Sequence, residues 1–194
     1  MWMTGSTGRG IALLAAVRYR SMSNTPETPD RVVAPLREWR RPLHENLRQL
    51  QLAASAIDAE PRVALAALDG AVAYLDDQFN PISRAEEFTM FIAVDGVMGV
   101  VGGTAVMVAQ HASIKAMSGD LAQVVEAARV DGDVAAYGRY LLPLLHGLYA
   151  LIRAHLEAED DVYLSVLDSA VSESQVGMIV DNLTRITTGA AAPN

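Results

Sequence analysis

The chain has 194 residues, 51% of them hydrophobic, with a formal net charge of -8 and no cysteine. That size and apolar content suit one globular domain with a sizeable core, while the acidic balance offers nucleic acid no basic stripe to bind. Without thiols there is no disulfide, zinc–thiolate site, iron–sulfur cluster or thiol catalysis, a composition that fits a reducing cytoplasm.

Residues 1–34 read as a disordered or mobile extension. The apolar run from Gly10 to Val17 is short and is followed directly by Arg18 and Arg20, so it makes a poor signal peptide. No stretch reaches the roughly 20 apolar residues of a membrane span. Met22 then opens a polar, Pro-containing stretch. Residues 1–21 are expected to be either a mobile arm or sequence upstream of a natural start at Met22.

Ala and Leu abound, and alternation at period two is scarce, which favours an all-α chain. The first long helix is expected over about Leu36 to Asp58, with Leu43, Leu47, Leu50, Ala54 and Ile57 as its apolar seam and Pro42 as a kink or true beginning. His44 lies at the edge of that seam. Pro61 can open the second helix, whose seam runs Val72, Leu75, Phe79, Ile82, Glu86 and on to Ala93, with a kink expected at Pro81. Glycines from Gly96 to Gly103 end it. Thr104 is a cap for the third helix, with the seam Met107, His111, Ile114, Ser118, Leu121 and Val125. The fourth helix is expected from about Val134 to Ala170, with the seam Leu141, Leu145, Leu148, Ile152, His155, Glu159, Val162 and Val166. A last amphipathic helix, about Glu173 to Ile186, places Val176, Ile179, Val180 and Leu183 on one face. Long helices joined by short turns predict an antiparallel four-helix bundle over 35–187, with an additional short C-terminal helix and a flexible tail at 188–194.

Each long helix thus carries a metal-type residue at or beside an inward position: His44, Glu86, His111, and the pair His155 and Glu159. A carboxylate buried without a partner costs several kcal/mol, so these positions demand either mutual pairing or an ion. Imidazole and carboxylate donors from facing helices suit iron or manganese better than calcium. A carboxylate that bridges two ions is the di-metal arrangement of helix bundles.

On these residues the chain resembles the hemerythrin-like, HHE cation-binding domains of bacteria, over roughly residues 36–186. The resemblance rests on Leu43-His44-Glu45, on Pro81 to Glu87, on Ala109 to Ile114 and on Leu148 to Asp160, where His155 is followed four residues later by Glu159. It implies a bundle with up to two iron ions, open to O2, NO or peroxide, and a catalase- or peroxidase-like activity as the enzymatic version. The pattern departs at Ile82, where the family has a histidine, and beside His111, where Met107 and Lys115 stand in place of a second one. The site is therefore expected as a modified iron pair, a single ion or a vacated relic. In the vacated case Lys115, one turn from His111, is expected to neutralise Glu86 or Glu159, and the fold would serve as a metal-free interaction or regulatory module. His146 is out of phase with His155 and stays off the site. Asp160 is an alternative to Glu159 after a small helix rotation, and Tyr149 and Tyr163 are core or rim residues.

Overall fold

The computed structural model describes residues 32–189, so the readings made for 1–31 and for 190–194 lie outside the described residues. The elements are α1 (Ala34–Asn46), α2 (Arg48–Ala59), α3 (Pro61–Ala73), α4 (Asn80–Glu87), α5 (Met90–Met98), α6 (Ala105–Asp131), α7 (Val134–Ala158), α8 (Leu164–Ala170) and α9 (Glu173–Thr188). A π turn, Tyr74–Phe79, joins α3 to α4, and another, Glu159–Tyr163, joins α7 to α8. The all-α class holds. No described helix is long and apolar enough to cross a membrane.

α1 and α2 form one nearly continuous arm, because Leu47 between them keeps helical angles (φ -53°, ψ -30°). The arm starts at Ala34, two residues before the expected Leu36, and contains Pro42 without ending there. Its start is tied down by Asp168, whose Oδ1 accepts the N–H groups of Val32 (3.1 Å) and Val33 (3.2 Å). α2 packs on α3, α3 on α6, α6 on α7 and α7 on α2, closing the four-helix ring. α6 ends at Gly132, which takes the left-handed conformation (φ 68°) that favours glycine. Asp133 then caps α7 by accepting the Ala136 N–H at 3.1 Å. α9 begins with a Ser172–Gln175 capping box and lies against α1 and α4.

The seam of α6 is buried as its spacing predicts: Met107, His111, Ile114, Ser118, Leu121 and Val125 all face inward. The two π turns are where the periodic reading slips. The first lies immediately before Pro81, whose ring would crowd the Asp77 carbonyl and whose nitrogen offers it no hydrogen. The Asn80 N–H bonds back to the Leu75 carbonyl instead, so a widened turn precedes the proline. In the second, the Leu164 N–H bonds to the Glu159 carbonyl, which inserts one extra residue into the turn. Beyond Glu159 the seam therefore moves from the expected Val162, which is 52% exposed, to Leu164 and Leu167, both fully buried.

The interior forms two apolar clusters. One, around Leu43, Phe79, Ile114, Leu148 and Ile152, fills the bundle. The other, around Leu36, Met90, Phe91, Met107 and Leu164, joins the ends of the arms to α9. On all four arms a charged or imidazole residue falls between the two: Arg40, Glu86, His111, and His155 with Glu159. A polar layer thus separates the clusters.

Candidate metal centre

Glu86, His111, His155 and Glu159 offer one donor atom each, all within 4.8 Å of one another, and all four residues are buried. α4 supplies Glu86, α6 His111, α7 His155, and the π turn Glu159. Four of the five expected site residues come together in this way. The fifth, His44, does not join them. Its side chain is 39% exposed, and its Nε2 lies 3.1 Å from Asp160 Oδ2. α1 turns Arg40, one turn before His44, into the core in its place.

The two imidazoles meet edge to edge, His111 Nε2 and His155 Nε2 being 2.8 Å apart. Their outer nitrogens are both engaged. His111 Nδ1 lies 3.0 Å from Glu87 Oε1, and His155 Nδ1 lies 2.9 Å from Gln110 Oε1. An ionised carboxylate only accepts hydrogen bonds, so the His111 proton belongs on Nδ1. With its side-chain oxygen turned to His155 Nδ1, Gln110 favours the same tautomer there. Both Nε2 atoms then present lone pairs to each other, an arrangement that is repulsive unless a cation lies with them. A shared proton is a poor candidate. Burial, together with the charge of His155, lowers the pKa of His111, and burial lowers that of His155 to about 4. Phe91 stacks on His111 with ring centroids 5.3 Å apart, and Phe79 meets both imidazoles edge-on.

The carboxylates are shared between the histidines and Arg40. Arg40 Nε donates to Glu86 Oε1 at 2.9 Å, Nη2 donates to Glu159 Oε2, and Nη1 donates to Asp160 Oδ1 at 2.7 Å. Arg40 is fully buried. Its burial favours deprotonation, but Glu159, Glu86 and Asp160 outweigh that and hold its pKa above the ordinary arginine value. The other oxygens point to the imidazoles: Glu86 Oε2 is 3.8 Å from His111 Nε2, and Glu159 Oε1 is 3.4 Å from His155 Nε2. Glu159 Oε1 is buried without a hydrogen-bond partner. Burial, reinforced by the nearby Glu159 charge, pushes Glu86 up to about 7. An orphaned carboxylate oxygen and two inward lone pairs fit a cation, and the oxygen and nitrogen donors fit a first-row transition metal.

The role expected of Lys115 in a vacated site, neutralising Glu86 or Glu159, is not the one it has; Arg40 pairs with both carboxylates. Lys115 is exposed and lines a surface cleft of about 360 Å³ that reaches Glu87 and His111 from outside. The periodicity of α6 already rotates position 115 outward, one place past the buried Ile114. His146 is exposed and stays off the site. Tyr163 sits at the rim, its hydroxyl donating to the Gly103 carbonyl at 3.5 Å.

A ring of four helix arms with imidazoles and carboxylates gathered in its interior defines a class: all-α bundles with an interior site suited to a cation. The chain belongs to the hemerythrin HHE cation-binding domain family, whose model matches residues 37–167. That match runs from α1 into α8 and stops before α9, which the sequence resemblance had included. No curated protein and no solved structure matches the chain.

Proposed function

We propose that the protein is a non-haem iron protein that handles O2, NO or peroxide, with Glu86, His111, His155 and Glu159 as the residues that hold the metal. The observation that carries this reading is the pair of Nε2 atoms facing each other at 2.8 Å with both Nδ1 atoms tied outward. Iron bound there would supply an open position for reversible binding or reduction of a small ligand; an open position is what separates reactive from closed structural sites.

The chain's own residues do the rest. Glu87 and Gln110 fix the tautomers and ring orientations. Phe79 and Phe91 wall the imidazoles and exclude water from them. The cleft beside Glu87 and His111 gives a diatomic or peroxide ligand an approach to the site from outside. Peroxide removal, a catalase-like activity, is the enzymatic form of the proposal, and a cytoplasmic setting fits the absence of cysteine.

Elemental analysis of untagged protein after anaerobic reconstitution with ferrous iron, with its visible spectrum, tests the reading. Iron at one or more per chain, lost in Glu159→Ala, is the expected result; no iron would sink it. A second reading, a metal-free interaction or regulatory module, is favoured by one observation: Arg40 already partners Glu86, Glu159 and Asp160. It requires that a chelator leave the melting temperature unchanged, whereas a metal site linked to folding requires a fall.

A further inference from the structure

We infer that Arg40 is itself the second cation of a two-cation site, holding the position that a second metal ion would take and limiting this chain to one ion on the histidine side. The inference builds on the proposed metal site but rests on a separate feature, the way each buried carboxylate divides its oxygens. Glu86 gives Oε1 to the Arg40 guanidinium and turns Oε2 toward His111. Glu159 gives Oε2 to the guanidinium and turns Oε1 toward His155. Both carboxylates therefore bridge two positions, and the guanidinium fills one of them. On its far side Asp160 completes that position, with Oδ1 on Arg40 and Oδ2 on His44. Three carboxylate oxygens converge on the guanidinium, with an imidazole behind them, a donor set that suits a metal ion once the arginine is removed.

Charge points the same way. Against the three carboxylates Glu86, Glu159 and Asp160, Arg40 supplies one positive charge and leaves two negative. One divalent ion at the histidines neutralises them, whereas two beside Arg40 would leave an excess of positive charge in a low-dielectric interior. At the rims Arg37, 3.6 Å from Asp160, and Glu87, on His111, add one charge of each sign and do not alter the balance. The guanidinium is planar and permanently charged, with donors enough for three carboxylates at once.

The test compares metal stoichiometry in the full-length protein and in Arg40→Ala by equilibrium dialysis against Co²⁺. The expected result is one ion per wild-type chain and two per variant chain. Equal stoichiometry in the two chains overturns the inference. A wild type that binds none beside a variant that binds one would overturn the proposed iron function while supporting the role of Arg40; none in either would overturn both. If Arg40→Ala does not fold, Arg40→Met keeps most of the volume and is judged by the same difference. Mn²⁺ at excess on the wild type gives an independent reading. An isolated-ion electron paramagnetic resonance signal agrees with the inference, and a spin-coupled pair contradicts it.

Discussion

Glu87 Oε1 and His111 Nδ1 stand 3.0 Å apart, and that contact decides which nitrogen of the imidazole is left for an ion. Glu87 is 30% exposed at its side chain, so it serves the site without belonging to the core. Removing such an orienting partner weakens metal binding about 10–100-fold in comparable sites. Glu87→Ala is therefore expected to lower Co²⁺ affinity by that order while leaving the melting temperature of the metal-free protein nearly unchanged. Competition titration against a chromogenic chelator measures the first and thermal unfolding the second. Unchanged affinity would remove Glu87 from the metal site.

The buried histidines and carboxylates pull the pH dependence of stability in opposite directions. Burial lowers His155 from 6.5 to about 4, so between those values the unfolded chain holds a proton that the folded chain lacks. Its contribution is complete above 6.5 and is lost as pH falls toward 4. Burial, with Glu159 adding to it, raises Glu86 from 4.5 to about 7. In that window the folded chain holds the extra proton, so this contribution is complete below 4.5 and is lost as pH rises toward 7. His111 is lowered chiefly by burial and Glu159 is raised by it, repeating the opposition. The metal-free protein is expected to show a flat melting temperature between about pH 4.5 and 6.5. Bound metal requires ionised Glu86 and neutral imidazoles, so the stabilisation by Co²⁺ is expected to grow with pH up to about 7. A steep acid loss in the metal-free protein across that window would contradict the cancellation.

Much of this layer is legible in the sequence. Periodicity places Glu86, His111, His155 and Glu159 inward: α6 and α7 keep a regular seam as far as the site, and the π turn Tyr74–Phe79 shifts the second arm's seam without turning Glu86 out of the core. The inward residue of the remaining arm, Arg40, lies before the stretch Leu43 to Ile57 on which that arm's seam is read. Leu36, Arg40, Leu43 and Leu47 continue the same spacing one turn earlier, and an arginine inside it is the signal for a buried cation. His44 shares the face of Arg40 but lies farther toward solvent, which is why it meets Asp160 and not the imidazoles. The π turn at Glu159 was not legible, since periodic patterns assume a constant number of residues per turn. It brings Asp160 to Arg40 and turns Val162 outward.

Lys115 separates the two candidates for an internal cation. It is the only lysine in the chain, and it lies on the cleft wall, not in the core. Lys115→Ala is expected to change neither the metal stoichiometry nor the melting temperature, in line with other exposed substitutions. Dialysis and thermal unfolding of this one variant suffice. A large loss of stability would mean that Lys115 reaches the carboxylates in solution.

Glu159 joins every part of the site, touching Arg40 through Oε2 and facing His155 through an orphaned Oε1. Glu159→Gln keeps the shape but removes the charge, so Arg40 retains only Glu86 and Asp160 as carboxylate partners. Arg40 stays compensated by Glu86 and Asp160, so the loss is that of one charge-assisted hydrogen bond, about 1.5–3 kcal/mol, which for a domain of this size lowers the melting temperature by on the order of 5 °C. Metal binding should fall as well, because the amide brings no negative charge to the ion. The two losses need not go together. A variant that is destabilised yet binds Co²⁺ as tightly as the wild type would show that Glu159 serves Arg40 alone, leaving the ion to Glu86 and the two histidines. A variant that loses metal without losing stability would show the reverse, with Arg40 held well enough by Glu86 and Asp160. Loss of both is the outcome expected of a carboxylate that bridges two cations.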